Sequence, residues 1–206
     1  MGNINLSWTI VMATLSLVLV TTLVSVIALQ VRPSVLEKGM LRPYRVRRKG
    51  TWYELVTSGF LHASFGHLFL NMFVLFFFGM ELEHAVGSVH LFLLYVTGLL
   101  ASSIPSILKF SNDPGYATLG ASGAVGSVLF GFIFLFPTEN LYLMLLPIPI
   151  PAWLFAILYL LYSMYESRSR RGKVNHEAHI AGAVWGLFYM ILFVPGSLTL
   201  IRSLLE

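Results

Sequence analysis

No cysteine occurs among the 206 residues, which excludes disulfides, thiolate nucleophiles and cysteine-ligated metal. Charge is scarce as well. Only 11% of the residues are Asp, Glu, Lys or Arg, against about 25% in an ordinary soluble domain. Hydrophobic residues make up 57%, and the mean hydropathy is +0.80. No Asp falls inside any apolar run, so paired intramembrane charges of the kind that couple ion or proton transport are missing. The net charge of +4 sits in connecting segments, where Lys and Arg meet anionic lipid headgroups, and it requires no nucleic acid.

What is present is a series of long apolar runs. Spans are expected at about 8–30, 65–80, 88–108, 120–136, 152–165 and 178–194, because roughly 17 to 25 apolar residues cross the hydrocarbon. Six helices leave no room for a separate soluble domain, so residues 1–206 read as one all-α, polytopic membrane unit. The first run has no cationic leader and no small-residue cleavage site, which predicts a retained span rather than a signal peptide.

Between the first two spans, residues 31–64 mix seven Lys and Arg with Trp52, Tyr53, Phe60 and Leu61, the composition of a structure lying in the interface. Within it, Thr51 to Thr57 predicts a short helix with Thr51 as N-cap and Glu54 closing a capping box. Gly87 predicts a break after the second span. The run at 88–108 is assigned no chemistry, and Pro105 is expected to kink or stop it. Pro147, Pro149 and Pro151 cannot lie in a helix interior, so the fifth span starts at or after Ala152.

The chemistry gathers on three helices. Ser122 stands between glycines at the start of the fourth run, where Gly123, Ser127 and Gly131 form a small-residue stripe at a four-residue spacing. Ala178, Gly182 and Gly186 repeat the device on the sixth, next to His179. Two such grooved helices can pack closely enough for a hydroxyl nucleophile to meet its base. His67 and Asn71, four apart on one face of the second span, are polar groups at a depth where polarity is costly. A carboxylate to orient the imidazole is not visible: Glu177 is two residues from His179 and Glu83 lies at the end of the second span. The expectation is therefore a Ser122/His179 dyad, with the Ser122 N–H, the Asn71 amide and His67 as oxyanion donors. Water would reach His179 through a mouth flanked by His62, His67 and Asn71. His176 and Glu177 read as a solvated helix start. His176-Glu-Ala-His179 is one residue short of the metalloprotease H-E-x-x-H spacing, so no metal and no cofactor is implied.

Taken together, His67-x-x-x-Asn71, Gly120-Ala121-Ser122-Gly123 and Ala178-His179-x-x-Gly182 resemble the motifs of the rhomboid intramembrane serine proteases, in order and on the right helices, across about Trp52 to Gly186. The resemblance implies that Ser122 is nucleophile, His179 general base, and His67, Asn71 and the Ser122 amide the oxyanion hole. It implies further that 31–64 is a membrane-embedded first loop, that Glu83 ties that loop down, and that the loop before the sixth span caps the site. Gly120, Gly123, Gly126, Gly182 and Gly186 would support the site from behind. The partners would be transmembrane protein substrates and membrane lipids, in a multi-pass protein of the plasma membrane. The alternative of the same fold is an inactive protein that holds transmembrane segments.

Two features depart from the family pattern. Tyr53 stands where members often have arginine, and Gly126 stands where some place an aromatic that stacks on the histidine. The charge bias also opposes the family's orientation. With the N-terminus in the cytoplasm, twelve of the thirteen Lys and Arg would lie outside, whereas the positive-inside rule expects the reverse. Cysteine-accessibility mapping at Arg168 to Lys173 separates the two orientations.

Overall fold

The computed structural model describes residues 12–143, 146–169, 175–197 and 199. Helix α1 (Met12–Val26) continues as a π-helical turn, Ile27–Val31. Three short helices follow, α2 (Ser34–Gly39), α3 (Pro43–Lys49) and α4 (Glu54–Thr57). Then come α5 (Phe65–Val86), α6 (Ser88–Phe110) and α7 (Ser122–Leu135). A hairpin of β1 (Asn140–Leu143) and β2 (Leu146–Pro151) leads into α8 (Ala152–Ser169) and α9 (His176–Phe193).

Among the described residues, three helices are long and apolar enough to cross a membrane: Met12–Val31, Phe65–Val86 and Ser88–Phe110. The protein is thus mostly helical and of membrane type. The first four residues of the expected first span, and residues 170–174 of the loop expected to cap the site, lie outside the described residues.

Helix α7 is the hub. Eleven of its fourteen residues are buried, as expected of a helix that is apolar on every side and therefore surrounded. One side packs into a core with Leu75, Leu91, Leu94, Tyr95 and Met190, the other into a cluster with Phe155, Tyr159 and Ala183. The small-residue stripes bring α7 and α9 into backbone contact: a Cβ added at Gly182 would strike the Gly123 carbonyl, and one at Gly186 the Ser127 carbonyl. Gly131 leaves the seam and packs chiefly against Leu82 and Leu94. Ser127 fastens the same seam, its hydroxyl donating to the Gly182 carbonyl at 2.8 Å and, less closely, to that of Gly123.

Several expectations change on contact with the fold. Pro105 lies inside α6, which runs on to Phe110, so it does not stop the helix. Gly87 does break the chain between α5 and α6, at φ +84°, a conformation suited to glycine. The fifth helix begins at Ala152, but the alternating prolines ahead of it form a strand, so the fold is not purely helical. Proline lacks a ladder donor and is tolerated on an edge, and every strand of a two-stranded hairpin is an edge.

Neither carboxylate plays the role expected of it. Glu83 is fully buried and accepts from the Ala13 and Thr14 amides, at 2.9 and 2.8 Å, and from the Ser88 hydroxyl. It therefore holds Ala13 and Thr14 of α1 rather than the 31–64 segment. Glu54 ties that segment down: it is also fully buried, pairs with Arg45 at 3.1 Å and accepts from the Arg42 amide at 2.9 Å. No capping box forms, since α4 begins after Tyr53 without a side-chain cap. Where the family often has arginine, the Tyr53 hydroxyl accepts from Arg45 at 3.3 Å.

Candidate active site

The segment leading into α7 is held by the residues of 31–64. Leu41 and Thr118 exchange backbone hydrogen bonds at 2.9 and 3.0 Å, and the Gly120 amide donates to the Ser58 carbonyl at 3.0 Å. Gly120 turns at φ +126°, and a Cβ there would lie 2.6 Å from the His67 ring, so both its backbone angle and its lack of a side chain are used. Ser122 then opens α7, where its N–H has no intrahelical acceptor.

On α9, the Asn175 side chain accepts from the Ala178 amide and fixes the helix start, while its amide nitrogen donates to Ser106 at 2.8 Å and to Tyr116 at 3.2 Å. Lys109, at the end of α6, pairs with Glu177. With the helix anchored and the α7 seam closed, His179 Nε2 lies 2.7 Å from Ser122 Oγ, a hydrogen bond between residues 57 apart in sequence. Both side chains are only partly buried and open onto a cavity of about 640 Å³.

His67, Asn71, Gly120, Gly123 and Gly126 line that cavity with them. Asn71 is buried and donates one amide hydrogen to the His67 carbonyl at 2.9 Å, which leaves its second hydrogen for another acceptor. The structure therefore brings together every residue expected in the dyad and the oxyanion hole. Among the supporting residues, Gly182 and Gly186 act through the seam, and Gly126 faces the His179 carbonyl at ordinary contact distance. Glu83 lies elsewhere, against α1. Among the described residues, no carboxylate is hydrogen-bonded to His179, and Glu177 is engaged by Lys109.

Two histidines differ from expectation. His62 does not flank the mouth: it is fully buried, with Nδ1 2.9 Å from the Ser25 hydroxyl and Nε2 accepting from the Ala121 amide at 3.4 Å. Burial, and after it the neighbouring His67, hold the His62 imidazole far below the usual histidine range, at about 3. His176 is not a solvated helix start either, being buried with its ring edge-on to those of Tyr162 and His179.

Some of the site was not foreseen. With Gly126 leaving the His179 ring without an aromatic from α7, Tyr159 of α8 supplies one, near-parallel at 21° with centroids 6.4 Å apart. Helix α6, expected to carry no chemistry, lines the cavity with Ser102, Ser103 and Ser106. A run of hydroxyls at 102, 103 and 106 was the available signal.

Known proteins resemble the chain over most of its length. A family model described as the rhomboid domain matches residues 49–196. The chain is 32% identical over 141 residues to "Rhomboid protein 1, mitochondrial" of Saccharomyces cerevisiae, covering 66% of this chain and 40% of that protein. It is also 32% identical over 151 residues to "RHOMBOID-like protein 12, mitochondrial" of Arabidopsis thaliana, covering 66% and 45%. A third relative, "Rhomboid-related protein 1" of Caenorhabditis elegans, is 29% identical over 161 residues, covering 70% and 41%. The matched regions thus span less than half the length of these relatives. Two of the three carry mitochondrial names, so the comparisons support an integral membrane protein and give the plasma membrane no support.

Proposed function

The chain belongs to the rhomboid family, and from that premise we propose that it is an intramembrane serine endopeptidase that hydrolyses a peptide bond in or beside a substrate's transmembrane helix. The observation that carries this reading is the 2.7 Å Ser122–His179 hydrogen bond at the wall of a cavity lined by His67 and Asn71. In this reading residues 1–206 form one domain of six spans. Helices α7, α8 and α9 complete the set of three long apolar helices, and residues 31–64 lie embedded at the interface. Its partners are transmembrane protein substrates and the surrounding lipid.

The reaction follows from the atoms in place. Ser122 Oγ forms a bond to the scissile carbonyl carbon while its proton passes to His179 Nε2, and the carbonyl electrons move onto oxygen. The Ser122 N–H, the free hydrogen of the Asn71 amide and the His67 ring receive that oxyanion; one such donor is worth about 2.7 to 4 kcal/mol in the transition state. Collapse of the tetrahedral intermediate breaks the C–N bond, and the leaving amine takes the proton from His179. A water molecule then attacks the acyl-enzyme with His179 again as base, releasing the acid and restoring Ser122. Tyr159 and His176 hold the imidazole in the plane this requires. Attack needs an extended backbone, so substrate segments with weak helix propensity and small residues near the cleaved bond are favoured.

The test is incubation of the purified protein in detergent with a generic transmembrane substrate, beside Ser122→Ala. Cleavage by the parent that falls at least about 10³-fold in the variant is expected. Equal processing by both would refute the assignment, and absence of cleavage by the parent would favour a protein that only holds transmembrane segments.

A further inference from the structure

His62 is the least explained polar group near the site. It lies outside the cavity, is fully inaccessible, and is bonded to two segments far apart in the chain. Its proton can be placed from its partners. The Ser25 hydroxyl, on α1, donates its single hydrogen to the Phe60 carbonyl at 2.8 Å. It can therefore only accept from His62 Nδ1, 2.9 Å away, so Nδ1 carries the ring's proton. Nε2 is then a bare lone pair, and the Ala121 amide donates into it at 3.4 Å. Of the two neutral tautomers and the cation, this tautomer alone satisfies all three contacts.

Ala121 immediately precedes the proposed nucleophile. We infer that His62 is a positioning residue: by fixing the Ala121 amide through Nε2, it sets the backbone of the turn from which the Ser122 N–H and side chain project into the cavity. It touches neither substrate nor the reacting atoms. The Ser25 hydroxyl makes the device directional, because it keeps the proton on the far side of the ring. The segment ahead of Ser122 then has three amides held from outside, Thr118 by Leu41, Gly120 by Ser58 and Ala121 by His62. A side chain holds only the last. The first two are backbone bonds that any sequence would make, so His62 is where this geometry depends on residue identity.

This inference rests on the proposed protease reading, and its test separates the two. In His62→Asn the side-chain amide reaches the Nδ1 position and can still donate to Ser25, but nothing accepts from Ala121. In His62→Gln the longer amide places an acceptor near the Nε2 position and loses the Ser25 contact. Each variant gives up one of two hydrogen bonds, so the two should lose similar amounts of thermal stability. In detergent with a transmembrane substrate, His62→Asn should lower kcat about tenfold or more at unchanged KM, and His62→Gln should stay within about threefold of the parent. Amide hydrogen exchange of the segment 118–122 should accelerate about tenfold in His62→Asn and stay near the parent in His62→Gln. As a second perturbation, Ser25→Ala frees the ring to take the other tautomer and should lower kcat severalfold with His62 intact. Equal losses of kcat in the Asn and Gln variants, in step with their stability, would overturn the inference. So would unchanged exchange at Ala121 in His62→Asn. A parent that does not cleave would refute the protease reading alone, because the exchange measurement still decides whether His62 holds Ala121.

Discussion

The 2.7 Å contact between Ser122 and His179 depends on two helix backbones touching, and Gly182→Ala tests that dependence most directly. An added Cβ at 182 would lie 2.8 Å from the Gly123 carbonyl carbon and 3.0 Å from its Cα, with the carbonyl oxygen closer still, whereas ordinary contact begins at 3.4 Å. All three atoms are backbone, so no side chain can rotate away, and α7 and α9 must part by more than half an ångström. That shift is applied three residues from His179 and one from Ser122, and it stretches the hydrogen bond beyond useful length. Overpacking of this kind costs about 1 to 3 kcal/mol of stability, and a displacement of about 1 Å at reacting groups costs on the order of 10²-fold in rate. Gly126→Ala is the matched control: on the same seam its Cβ would meet the His179 carbonyl at 3.8 Å and the Ala183 amide at 3.9 Å, both comfortable. Cleavage of a transmembrane substrate in detergent, with thermal unfolding measured in parallel, should show kcat down about 30- to 100-fold for Gly182→Ala and within about twofold for Gly126→Ala. Retention of more than a third of the parent kcat by Gly182→Ala, or equal losses in the two variants, would refute the argument.

Two further outcomes are expected. Glu54→Ala leaves the Arg45 guanidinium and the Arg42 amide without their acceptor; because the carboxylate is fully buried while Arg45 keeps partial access to water, stability should fall by about 2 to 3 kcal/mol, read as earlier thermal unfolding than in Ser122→Ala. Tyr159→Phe keeps the ring beside His179 and should hold kcat within about twofold, whereas Tyr159→Ala removes a contact worth about 0.5 to 1.5 kcal/mol and should lower kcat about three- to tenfold at near-constant KM.

The meeting of Ser122 and His179 was legible in the sequence because the features that bring it about are local and unusual: a serine among glycines, a histidine beside a small-residue stripe, and a His–Asn pair four apart in apolar surroundings. The roles of Glu54 and Glu83 were not. Both are single carboxylates near segment ends, and what separates them is which backbone amides the fold brings to each, those of Ala13 and Thr14 for Glu83 and that of Arg42 for Glu54. Tyr159 escaped notice for a related reason, since an aromatic in an apolar helix is common and only the packing of α8 against α9 puts this one beside the imidazole. The serines of α6 look inert because a helical serine can satisfy itself on its own backbone. Ser102 and Ser103 do so on Leu99 while still lining the cavity. His62 and His67 look alike in sequence, yet one is sealed behind the turn while the other lies against Gly120 of that turn and lines the cavity.

Two independent structural elements therefore set two different coordinates of the proposed reaction. The α7–α9 seam fixes the distance from hydroxyl to imidazole, and the 31–64 segment, through His62, fixes the turn that presents the Ser122 amide. If the division is real, Gly182→Ala and His62→Asn act on separate terms of the barrier and their effects should multiply. The two residues bear on Gly123 and Ala121 and have no contact partner in common, and substitutions without a shared partner add to within about 0.3 to 0.5 kcal/mol, which is a factor of about two in kcat. A double variant slower than the parent by about the product of the single losses, at a KM near that of the parent, is the expected result of the cycle. Should the double variant be no slower than the worse single one, both substitutions report one shared loss of bundle packing, and the assignment of nucleophile presentation to the 31–64 segment is wrong.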